Sequence, residues 1–156
     1  MKLITEIAER AYETAKRRGQ DASALGCMAA AAAEQAEYWK AIDEGRLLKE
    51  PALHEAKAMA NTAFAAFAEY YEANIHNTDY DELADMVIIA ATWFYSAKVS
   101  AGQDFDPARS IDVTLACGIL DWVIDRIAGA TTMPAAILAD KLRAVINLKL
   151  RFNELR

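Results

Sequence analysis

Two pairs of carboxylates could do chemistry in this chain. Glu34 and Glu37 sit in an alanine-rich run, and Glu82 and Asp85 stand just before Met86 to Ala97, a stretch without a charge. From Ala22 to Trp39, Glu34 and Glu37 are the only acidic side chains. A spacing of three places each pair on one side of a helix, one turn apart. A carboxylate inside a protein is costly unless it is paired or coordinates a cation. Two such pairs on two apolar helices therefore point to a shared divalent metal site, with room for about one to three ions. Mg²⁺ suits the donors, because it takes hard oxygens, keeps several waters and binds few protein carboxylates alongside substrate phosphate; Mn²⁺ is its expected substitute. The chemistry that follows is attack by water on a phosphoryl group, with a surplus carboxylate as general base.

A plainer reading stands beside this one. Acidic pairs at this spacing are commonest on solvated helix faces, and the first turn of a helix favours carboxylates, which accounts for Asp79 and Asp81 as capping residues. Glu34 and Glu37 fit that reading less well because alanines, not Lys or Arg, surround them. Asp85 fits it less well because Met-Val-Ile-Ile follows it directly.

The elements that must position these groups read as helices throughout. With three prolines and six glycines and helical spacing nearly everywhere, the expectation is an all-α bundle of about five to six helices. A first amphipathic helix covers Ile4 to Arg18, with Ile7, Ala8, Ala11 and Ala15 on one side. The second starts at an Asp21 or Ser23 cap and runs to about Glu44, a buried helix with Leu25, Met28, Ala29, Ala32, Ala36 and Trp39 in one stripe opposite the two glutamates. A third runs from Pro51 to about Ile75. Thr78 or Asp79 caps the fourth. The fifth follows Pro107 to about Ile127, carrying Ile111, Leu115, Ile119, Trp122 and Val123, with Asp112, Asp121 and Asp125 as its exposed edge. A break over 129–134, with cap and first-turn chemistry, opens the last helix. That helix ends in Lys149, Arg151 and Arg156, cations that a helix C-terminus favours in itself.

At 156 residues and 54% apolar content the chain has the size of one domain. Its formal charge, 17 − 23 = −6, argues against a nucleic-acid polymer as partner. Cys27 and Cys117 lie far apart in apolar runs and are expected as buried free thiols. No signal-peptide core and no bilayer-length apolar run is evident, so no membrane and a cytoplasmic location are expected. The two histidines, His54 and His76, do not follow a Glu by three residues, which speaks against a di-iron carboxylate bundle; surface or capping roles are expected for both.

Glu34-Gln-Ala-Glu37 and Asp81-Glu82-Leu-Ala-Asp85-Met-Val-Ile together resemble the paired Glu-x-x-Glu and Glu-x-x-Asp signatures of the all-α nucleoside triphosphate pyrophosphohydrolases, the MazG-like and dimeric dUTPase group. Lys149-Leu-Arg-Phe-Asn153-Glu-Leu-Arg156 is similar to the Lys-x-x-x-Asn-x-x-Arg element that closes many MazG-like domains. The resemblance implies one MazG-like domain over 1–156, with a core at about 21–100 and 133–156 and a helix inserted at 107–128. It implies a homodimer or homotetramer that uses Mg²⁺ to cut a (d)NTP to the (d)NMP and pyrophosphate. Glu34, Glu37, Glu82 and Asp85 would hold metal, with Glu37 and Glu82 also catalytic, and Lys149, Asn153 and Arg156 would bind phosphates. Trp39 is assigned to the base, with Phe67, Tyr70 and Trp93 as the other flat candidates. Ile89 and Thr92 stand where many relatives carry Arg and Asp. A catalytically silent helical binding or assembly module is the alternative.

Overall fold

The computed structural model describes residues 1–129 and 135–156. Every regular element among them is helical: α1 (Lys2–Arg17), α2 (Ala24–Asp43), α3 (Glu50–Met59), α4 (Phe64–Asn74), α5 (Asp79–Ala101), α6 (Ile111–Gly129) and α7 (Ala135–Leu155), with one 3-10 turn at Gly102–Asp104. The all-α expectation holds; of the expected break over 129–134, Gly129 still belongs to α6 and 130–134 lie outside the described residues. Seven helices replace five to six because the expected third helix is two. It stops at Met59, turns through Asn61 and Thr62, and resumes at Phe64. No Gly or Pro marks that turn; the Thr62 hydroxyl donates to the Ala58 carbonyl, and the Thr62 and Ala63 amides both reach Met59.

The chain forms two compact units. One comprises Met1–Ala33 and Met86–Thr131, the other Glu34–Asp85 and Thr132–Arg156. The expected inserted helix is α6, in the first unit with α1. In that unit α1 buries Ile7, Ala8, Ala11 and Ala15, the stripe read from its periodicity, together with Ile4 and Thr14. α6 buries Val113, Ala116, Leu120, Val123 and Ile127 instead of the expected Ile111, Leu115 and Ile119. Ile111 and Leu115 are exposed. α6 is apolar on most sides, so two stripes at helical spacing compete and periodicity alone does not choose between them. Likewise Leu25, Met28 and Trp39 on α2, expected in a buried stripe, are exposed. Cys27 is buried as expected, Cys117 only partly, and both are free thiols.

The second unit packs α3, α4 and α7 against one another. Phe67 and Tyr71 of α4 are fully buried, as are Val145, Ile146 and Leu150 of α7. Each such side chain contributes roughly 1.5–3 kcal/mol by leaving water. Tyr71 stacks on Phe152 at a centroid separation of 4.6 Å, a ring contact between α4 and α7. Leu142, Val145, Ile146, Lys149 and Asn153 follow the helical repeat along the buried side of α7. A lysine and an asparagine thus lie inside an otherwise apolar stripe.

Candidate metal centre

The first turns of α5 position the acidic groups. Asp79 anchors the loop before α3: its Oδ1 accepts the Leu48 amide at 2.8 Å, and its own amide donates to the Arg46 carbonyl at 2.9 Å. Asn77 takes a φ of 60°, a left-handed conformation that Asn tolerates better than most residues. Its amide donates to Asp81 Oδ2 at 2.9 Å. Residues Tyr80 to Ala84 are all buried, so this end of α5 has no solvated side.

Asp81, expected as a capping residue, is fully buried at the centre of a polar network. It accepts the Tyr71 hydroxyl at 2.5 Å and the Lys149 ammonium at 2.9 Å on each oxygen, and His76 Nδ1 lies 3.0 Å from Oδ2. Burial raises the Asp81 carboxyl, but the bonds from His76 and Tyr71 and the charge of Lys149 outweigh it and hold the group below its ordinary range. The Tyr71 phenol is driven well up by burial and by Asp81. His76, expected in a surface or capping role, is half-buried against this carboxylate, with Nε2 3.9 Å from Glu72. Lys149 also reaches Asp85 Oδ2 at 2.7 Å. Burial opposes its charge, but Asp85 and Asp81 more than compensate and raise its ammonium.

Three of the four expected metal ligands converge. One carboxylate oxygen each from Glu34, Glu82 and Asp85 lies within 4.8 Å of the others. Glu37 is not brought in: it stands one turn further along α2, about 4.5 Å on, and its carboxylate faces Lys40 at 3.7 Å, partly in solvent. Glu82 is 2% exposed, and its Oε1 has no hydrogen-bond partner among the described residues. Burial, the hydrogen bond with Glu34 and the charges of Asp81 and Asp85 push its carboxyl up to about 9. Burial, with Asp81 and Glu34, lifts Asp85 to about 7 although Lys149 pulls the other way. Three carboxylates this close, with one buried oxygen that has no hydrogen-bond partner among the described residues, form a donor set that could hold a metal ion. Carboxylate oxygens are hard donors, the kind that divalent ions such as Mg²⁺ take.

The expected substrate-binding residues do not gather as a set. Lys149 is 2% exposed and committed to carboxylates. Asn153 is buried one turn further on, with Oδ1 unpartnered among the described residues. Arg156 is exposed with its guanidinium 4.9 Å over the Phe152 ring. Trp39 is 43% exposed, edge-on to Tyr38. Sequence reading missed Asp81, Tyr71 and His76. Its usable signal for the network was Lys149, a cation in register with Val145, Ile146 and Asn153 on an apolar stripe.

A cavity of about 460 Å³ in the first unit is lined by Ser23, Trp93, Ser96, Ser100, Ser110 and Asp112. Several of its polar groups are already committed. Ser23 and Ser110 accept the Gly26 and Val113 amides as helix caps, and Trp93 Nε1 donates to Asp112. The acidic cluster therefore remains the candidate centre.

Asp81→Ala is expected to cost about 3–5 kcal/mol, the range for removing one partner of a buried charge pair, since it leaves Lys149 with Asp85 alone and removes the acceptor of the buried Tyr71 hydroxyl and of the Asn77 amide. Urea unfolding of the variant and the parent measures it; a loss under about 1 kcal/mol would show the network carries little of the fold.

Neither a family model, nor a curated protein, nor a solved structure matches this chain. Among the described residues, no helix is long and apolar enough to cross a membrane.

Proposed function

We propose that this chain is a divalent-cation-dependent nucleoside triphosphate pyrophosphohydrolase of the MazG-like kind, converting a (d)NTP to the (d)NMP and pyrophosphate. The observation that carries the reading is the buried, unpartnered Glu82 oxygen in a triad with Glu34 and Asp85, set within the sequence pattern that resembles that group. Glu34, Glu82 and Asp85 would hold the ion, with Mg²⁺ its natural identity and Mn²⁺ a substitute. A bound ion would neutralise phosphoryl charge and lower the pKa of water. Asp81 and Lys149 hold Asp85 in place, because Lys149 is fixed by both aspartates and Asp81 is fixed by Tyr71, His76 and Asn77. Glu37, the fourth carboxylate of the sequence pattern, stands one turn from Glu34 and faces Lys40; it would serve as base for water only by turning from Lys40 toward the triad. Asn153 and Arg156, following Lys149 on α7, are the candidates for phosphate contact, and Trp39 for the base. Exposed Leu25, Met28 and Trp39 on α2 support a homo-oligomer, and the reaction suits the cytoplasm.

Purified protein is expected to release pyrophosphate from at least one member of a panel of ordinary and modified (d)NTPs with Mg²⁺, and none with a chelator. Silence across the whole panel would overturn the enzyme reading. If calorimetry then also finds no cation binding, a helical binding module is what remains.

A further inference from the structure

Lys149 makes this acidic centre unusual, because a cation belonging to the protein already sits against one of its ligands. The ammonium lies 2.7 Å from Asp85 Oδ2 and 2.9 Å from both oxygens of Asp81. Asp81 has other donors in the Tyr71 hydroxyl, the Asn77 amide and His76 Nδ1, so it is a fixed post with little capacity left for a metal. Asp85 has Lys149, and it shares the triad with Glu34 and Glu82. Lys149 is 2% exposed and rises from an apolar stripe, which leaves the ammonium little room to retreat. Any ion held by Asp85 would therefore lie within a few ångströms of a fixed positive charge.

We propose that Lys149 is a built-in counter-cation that keeps the Glu34–Glu82–Asp85 centre weak for a bare divalent ion and reserves it for an ion carried on a polyphosphate. This inference rests on the metal-centre reading and adds to it the order of loading. Repulsion between Lys149 and a divalent ion a few ångströms away, in a partly buried site, is large compared with thermal energy. A polyphosphate arriving with its ion brings negative charge that offsets both. Cation and polyphosphate then bind with positive coupling, and the coupling is the same whichever binds first.

The test is Mn²⁺ binding, followed by electron paramagnetic resonance and calorimetry, with Mn²⁺ alone and with Mn²⁺ plus imidodiphosphate, a non-hydrolysable pyrophosphate analogue. Lys149→Met is expected to bind Mn²⁺ alone about tenfold more tightly than the parent and to lose most of the gain that imidodiphosphate gives. Lys149→Arg, which keeps the charge, is expected to bind bare Mn²⁺ no more tightly than the parent. Should the Met variant fail to fold, Lys149→Gln, which keeps a donor to Asp81, carries the same expectation. If a folded charge-removing variant binds bare Mn²⁺ no more tightly while the parent does bind the ion, the proposal is overturned and the centre stands. If the parent binds Mn²⁺ under neither condition, the centre itself is overturned, and this proposal with it.

Discussion

Glu82→Gln is expected to lower pyrophosphate release by about a thousandfold while leaving the cation-free protein at pH 7 about as stable as its parent. The rate estimate follows from the several kcal/mol that a bound ion contributes to phosphoryl transfer, at about 1.4 kcal/mol per tenfold. The stability half follows from the site. With its carboxyl pushed up to about 9, Glu82 is neutral at pH 7 when no ion is bound. Glutamine has the same shape, is also neutral, and can donate to Glu34 in place of the shared proton. A neutral amide is a far poorer ligand for a hard cation, so the ion is lost while the packing is kept. Steady-state hydrolysis and thermal unfolding, measured on the same sample, read the two halves separately. A variant that keeps more than about a tenth of the parental rate would remove Glu82 from the centre.

Without a divalent ion, thermal stability is expected to fall as pH rises from 5 to 9, and an added ion is expected to reverse the trend. The folded pKa values of Glu82, about 9, and Asp85, about 7, lie above the ordinary values of 4.5 and 3.8. The folded chain therefore binds more protons than the unfolded chain through this window. Their contribution is fully present below the ordinary values and is lost as pH rises through 7 and then 9. Asp81, held low, works in the opposite sense: its contribution is present above the ordinary value and disappears on acidification through its folded pKa. Cation-free stability should thus peak in mildly acidic solution. The fall to pH 9 should amount to on the order of 5–10 °C in Tm, from a few kcal/mol of linkage. An ion competes with the protons, so its stabilisation grows with pH, and its binding at pH 7 should release about one to two protons. Scanning calorimetry across pH, and titration calorimetry in buffers of different ionisation enthalpy, measure both. A Tm that climbs from pH 5 to 9 without an ion would mean that these carboxylates are not sharing protons.

The sequence by itself determined the helical class, and it singled out the acidic groups worth following. Sparse Gly and Pro, together with apolar residues at helical spacing, leave little else for the chain to form, and α1 buried the very stripe its periodicity named. Glu34 and Glu37 were conspicuous among alanines, and Asp85, one turn after Glu82, because Met-Val-Ile-Ile follows it directly, unfavourable settings for a lone charge. What periodicity could not decide was which of two apolar stripes α6 would bury, or that Asn61 and Thr62 would split a helix. Those outcomes depend on what the rest of the chain presents for packing.

Tertiary structure alone decided how the charges pair. Asp81 looked like a helix cap and Lys149 like a tail cation answering a helix dipole. In the fold Asp81 on α5 and Lys149 on α7, 68 positions apart, come into contact, and Tyr71 of α4 and His76 join them. Glu37 shares its helix and spacing with Glu34 yet turns to Lys40. Helical spacing fixes the side of a helix on which a carboxylate lies, but what it meets there is set by another helix, through burial and Coulomb forces that act across space and not along the chain.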